Sequence, residues 1–106
     1  MNDSTNALSQ LIEKHVNTLK SNGSEVIEAL NAAPPDLAKA QAVSHMIKGA
    51  AGSIGFANYA EAAMHLEKHL KALIKADLPA DDQTFQYLDV FSILREALEP
   101  SQSSLY

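Results

Sequence analysis

The chain contains no cysteine and no tryptophan, and only four prolines and four glycines among its 106 residues. Without cysteine there are no disulfides and no thiolate metal sites, a composition that suits a reducing cytoplasm. No uninterrupted apolar run approaches the ~18 residues of a membrane span. The opening MNDSTNALSQ lacks the charged start and apolar core of a signal peptide. Basic residues number 8 against 13 acidic ones, so the net charge is −5 and no basic face is left over for nucleic acid. Strand signals are missing as well: there is no sustained period-two alternation and no Asn-Gly or Asp-Gly hairpin turn.

What is present is a helical pattern. Apolar residues make up 46% of the chain, and the length fits a single domain, 1–106. Such a domain buries somewhat more than ~60% of its unfolded surface, enough for a core without staples. Gly23, the Pro34–Pro35 pair, Gly55 and Pro79 punctuate it. Between these breaks the spacing predicts a helix from about Ser4 to Lys20, striped by Leu8, Leu11, Ile12, Val16 and Leu19. A short helix follows over about Ser24 to Ala32, with Val26, Ile27 and Leu30. A third runs from an Asp36 cap to about Ile54. The fourth starts after Asn58, which has capping-box spacing to Glu61, and ends near Ala76. The last covers about Asp81 to Leu98, with Phe85, Leu88, Phe91, Leu94 and Leu98 facing inward.

Short connections between long helices make neighbours antiparallel. The predicted fold is therefore all-α, an up-down four-helix bundle with an additional short helix. The ending SQSSLY, about 101–106, reads as a frayed tail. No heptad seam is left over for a second chain, which favours a monomer, and the initial Met favours a free-standing protein.

The stretch SHMIKGAAGSIGF, residues 44–56, departs from an otherwise plain helix. Glycine in a helix interior costs roughly 1 kcal/mol relative to alanine, yet Gly49 and Gly52 stand here beside a histidine. On a helical wheel Leu37, Ala40, Val43, Ser44, Ile47, Ala50, Ala51 and Ile54 form the core stripe. His45 falls roughly 150° from the centre of that stripe and faces solvent. Its wheel neighbours are Ala38, Gln41, Ala42, Lys48, Gly49 and Gly52, so the imidazole stands on a surface of small residues with one cation a turn away. The same GAAG spacing also suits close helix packing, with His45 an ordinary surface residue.

The segment HMIKGAAGSIG resembles the His-x-x-Lys-Gly core, with a further glycine ten residues after the histidine, of histidine-containing phosphotransfer (HPt) domains. These are the intermediates of multistep phosphorelays. The likeness extends over most of the chain, through its helix count, the motif's position and the LEKHLK pattern that follows. It implies that His45 accepts and donates a phosphoryl group. An imidazole with the ordinary pKa of about 6.5 has a free nitrogen lone pair at neutral pH. It implies that Lys48 lies beside the phosphoryl group and offsets its charge. Gly49 keeps the approach open, and Gly55 ends the helix in a conformation closed to side chains with a Cβ. In related domains a polar side chain about 22 residues after the histidine accepts from the ring's other nitrogen; here that residue is Glu67. A carboxylate there fixes the proton on Nδ1 and leaves Nε2 as nucleophile. Lys71 on the same flank adds a second charge, and Gln41 and Gly52 border the ring on its own helix.

The resemblance further implies a phosphorelay carrier without its own kinase or ATP chemistry, in keeping with the absence of a Gly-rich nucleotide loop. It needs no cofactor of its own, Mg²⁺ coming from the partner. Its partners would be response-regulator receiver domains, with a hybrid sensor histidine kinase as the ultimate source. Two rival readings remain. One is a helical adaptor that binds receiver domains without transferring phosphate. The other is a metal or haem bundle, for which no histidine sits on a core stripe. His65 and His69 are spaced for a metal but have no third ligand in their pattern, and His15 lies in a polar setting.

Overall fold

The computed structural model describes residues 3–105. They form α1 (Asp3–Asn31), α2 (Leu37–Ser53), α3 (Ala57–Lys75) and α4 (Asp82–Glu96), followed by a 3₁₀ turn at Pro100–Gln102, and no strand is found among them. Sequential helices pack side by side, α1 closes against α4, and the bundle measures 53 × 20 × 18 Å.

The first two expected helices are one. Gly23 does not break α1, because the stripe Ile12, Val16, Leu19, Gly23, Val26, Leu30 keeps helical register through it, and its five apolar members are buried. Burying Val26 and Leu30 contributes about 1.5–3 kcal/mol each, which outweighs the ~1 kcal/mol penalty of a helical glycine. The glycine serves packing: a Cβ at Gly23 would sit 2.6 Å from the Tyr59 hydroxyl and 2.8 Å from Arg95 Cδ. Through this gap Arg95 donates from Nε to the Lys20 carbonyl (2.8 Å) and from a terminal nitrogen to Ser24 Oγ (2.6 Å). Tyr59 meanwhile stacks on Phe91 with centroids 5.0 Å apart.

Leu8 and Leu11, expected inside, are 40% and 52% exposed. The Asp36 amide donates to Ala29 O, fixing the start of α2 beside the end of α1. The 17 residues of α2 then run back along only the C-terminal part of the 29-residue α1, so Leu8 and Leu11 lie beyond its reach. Asp36 caps α2, accepting from the Lys39 amide at 3.0 Å. Ala50, also assigned to the α2 stripe, is exposed, and the buried set is Ala40, Ser44, Ile47 and Ala51.

At its far end α2 stops in a left-handed residue, Gly55 at φ 84°. Phe56 N–H bonds Ala51 O at 2.9 Å and Gly55 N–H bonds Gly52 O at 3.3 Å, the paired bonds of a Schellman motif, with Phe56 buried. This turn delivers the chain directly into α3 at Ala57. Asn58 is consequently inside the helix rather than its cap, and the expected Asn58–Glu61 capping box is not formed.

Asp81 caps α4 in a reciprocal box with Thr84. The inward stripe of α4 is Thr84, Leu88 and Phe91, so Phe85, expected in the core, is 37% exposed. The tail expected to fray is docked instead over its described part. Ser103 Oγ donates to the Ile54 carbonyl and Ser104 N–H to Gly55 O at 3.1 Å. Carbonyls freed at the end of α2 thereby gain partners. Tyr106 lies outside the described residues.

Candidate functional site

The site lies on the outer face of the α2–α3 pair. Small buried residues, Ala40, Ser44 and Ala51 on α2 and Ala62 and Ala63 on α3, line the neighbouring core. That leaves residues just outside the two stripes within reach of each other across the seam.

His45 stands on the outside of α2 with 61% of its side chain exposed. Its Nδ1 lies 2.8 Å from Oε2 of Glu67, whose side chain is only 6% exposed at the edge of the α3 stripe. An ionised carboxylate can only accept, so Nδ1 donates, which in the neutral ring leaves the lone pair on Nε2. The other carboxylate oxygen, Oε1, receives two ammonium groups: Lys48 Nζ from α2 at 3.3 Å and Lys71 Nζ from the next turn of α3 at 3.4 Å. Burial pushes the Glu67 carboxyl up. The hydrogen bonds from His45 and Lys48, the charge of Lys48 and the hydrogen bond from Lys71 together outweigh it and hold the group below the usual carboxylate range. Two ammonium groups against one carboxylate leave this spot positive in a chain of net charge −5. That local sign suits an anionic group.

The two glycines of the motif flank the ring without serving the interior. A Cβ at Gly49 would meet nothing within 4 Å, and one at Gly52 would touch only Ala60 Cβ, at an ordinary 3.9 Å. Close helix packing therefore does not explain either of them. Gln41, half-buried one turn before His45, makes no hydrogen bond to the ring among the described residues.

The other histidines lie elsewhere. His69 Nε2 meets Asp81 Oδ1 at 2.8 Å, and His65 Nε2 meets Glu61 Oε1 at 3.4 Å. Both rings lie against Tyr87 of α4, with centroids 5.4 and 6.2 Å away. Hydrogen bonds from His69 and then from Thr84 draw the Asp81 carboxyl down to about 2. His15 is exposed on α1. No group of three or more metal-ligating side chains occurs among the described residues.

Sequence reasoning missed two features here. One is the sharing of a single Glu67 oxygen by Lys48 and Lys71, which depends on the register between α2 and α3. The other is the His69–Asp81 contact, whose partners are 12 residues apart and meet only once α4 folds back on α3.

The model of a protein family described as "Hpt domain" matches residues 6–103, a span that includes α2, α3, α4 and all but the first turn of α1. No curated protein and no solved structure matches the chain.

Proposed function

Because this chain belongs to the Hpt domain family, the histidine phosphotransfer modules of two-component phosphorelays, we propose that His45 takes a phosphoryl group from the aspartyl phosphate of one receiver domain and gives it to the aspartate of another. Hpt domains interact with receiver domains and are phosphotransfer modules rather than kinases or ATP-binding domains. The observation that carries the reading is an exposed imidazole whose Nδ1 is held at 2.8 Å by a buried carboxylate, so that Nε2 faces outward as the nucleophile.

In the forward step the Nε2 lone pair attacks phosphorus, the acyl oxygen–phosphorus bond breaks, and the receiver carboxylate departs with the electron pair. The Nδ1 proton stays on the ring against Glu67. Lys48 neutralises charge on the transferring group, and the bare backbone at Gly49 and Gly52 lets the partner surface approach. Positioning and electrostatics supply most of the catalysis in phosphoryl transfer, so a short set of residues suffices. Mg²⁺ and the aspartate come with the receiver domain, and a hybrid sensor histidine kinase is the ultimate source. No helix among the described residues is long and apolar enough to cross a membrane. The working state we infer is a cytoplasmic monomer.

The test is labelling by a phosphorylated receiver domain. The wild type should acquire an acid-labile, alkali-stable label, and His45→Gln should acquire none while keeping its helical circular dichroism. Label persisting on His45→Gln would overturn the assignment.

A further inference from the structure

Lys48 and Lys71 converge on one oxygen of one buried carboxylate, and their circumstances differ. Lys71 follows Glu67 by four residues on α3, the favoured order for such a pair, so its contact is local to one helix. Lys48 reaches Glu67 from the other helix, three residues after His45, with 36% of its side chain exposed. Nδ1 and Nε2 point in nearly opposite directions from an imidazole. An ammonium on Glu67 Oε1 and one on a phosphoryl group at Nε2 therefore occupy different places. If Lys48 were the only ammonium on Glu67, its departure would leave a carboxylate with only 6% of its surface in water held by the His45 Nδ1–H alone. Lys71 removes that obstacle.

Resting on the phosphotransfer reading above, we propose that Lys71 is a positioning residue that shares Glu67 with Lys48 and so releases the Lys48 ammonium to follow the phosphoryl group onto His45. As the N–P bond forms, Lys48 shifts from Oε1 to the phosphoryl oxygens and Lys71 stays. As the bond breaks and the electron pair returns to Nε2, Lys48 comes back. Lys71 acts through Lys48 and touches neither the ring nor the phosphoryl group.

A double-mutant cycle tests this, with potassium phosphoramidate as donor so that no partner surface enters the rate. Lys71→Met should slow labelling of His45 by about 2- to 5-fold, the size expected of one partly exposed ion pair. Lys71→Arg should restore the rate. In a Glu67→Gln background, which leaves no carboxylate to share, Lys71→Met should cause no further slowing, because the group through which it releases Lys48 is gone. An unchanged rate in Lys71→Met, or an equal loss in both backgrounds, would overturn the inference. A wild type that phosphoramidate does not label, or label that survives His45→Gln, would overturn the phosphotransfer reading beneath it. Circular dichroism of each variant separates these outcomes from loss of fold.

Discussion

The molecule carries two histidine–carboxylate contacts of the same length, 2.8 Å, on neighbouring faces of α3. On the α2 side, His45 is 61% exposed and Glu67 is 6% exposed. On the α4 side the order is reversed: His69 is 19% exposed and Asp81 47%. The first pair uses Nδ1 and leaves Nε2 outside. The second uses Nε2, presses its ring on Tyr87, and spends the carboxylate on capping α4. A histidine beside a carboxylate is therefore not a reactive site in itself. A buried carboxylate behind an exposed ring leaves the second ring nitrogen accessible, whereas an exposed carboxylate in front of a covered ring fastens two helices together.

The contrast can be broken most severely at the buried carboxylate. Glu67→Ala should reduce phosphoryl uptake on the order of 10²-fold, measured as the initial rate of labelling, since the ring loses the group that holds its tautomer. Glu67→Gln keeps an acceptor for Nδ1 and should lose less. At the other pair, Asp81→Ala removes the α4 cap and the partner of His69. It should lower the melting temperature by several degrees and leave the labelling rate unchanged; a slowed rate would mean that the two contacts are not independent.

Glycines sharpen the same division. Gly49→Ala adds a Cβ that meets nothing, so it should stabilise α2 by up to about 1 kcal/mol in urea unfolding while slowing transfer from a receiver domain. Gly23→Ala forces Tyr59 and Arg95 to shift and should destabilise the fold, although it lies far from the chemistry in the chain.

The smallest effect concerns acid. The Asp81 carboxyl is drawn down to about 2 from an ordinary 3.8, chiefly by His69. A depressed carboxylate contributes stability that is present above its unfolded pKa and lost as pH falls through the folded one. The Asp81 contribution should therefore be complete above pH 3.8 and fade towards pH 2. Asp81→Asn keeps a capping side chain and should flatten that part of the stability–pH curve only.

How much of this was legible in the sequence depends on how local each cause is. The limits of α2 and α4 follow from Asp36, Gly55 and Asp81, whose side chains or backbone conformations act within a few residues. The exposure of His45 follows from its angle on a single helix. Gly23 reads as a break in the sequence but does not interrupt α1, because its reason is the Tyr59 hydroxyl and the Arg95 side chain arriving from α3 and α4. The docking of the tail is not legible in SQSSLY, which offers little to bury. Its anchors are hydrogen bonds to backbone carbonyls of Ile54 and Gly55, groups that every sequence possesses. Within the site, Glu67 was reached through a family resemblance rather than through spacing alone. Its two-lysine neutralisation needed the register between helices.

The tautomer of His45 carries the whole account, and ¹⁵N NMR of the imidazole nitrogens above pH 8 reads it directly. The predicted spectrum has the proton on Nδ1 and an unprotonated Nε2, with that preference lost in Glu67→Ala. A wild-type ring protonated on Nε2 would contradict the account.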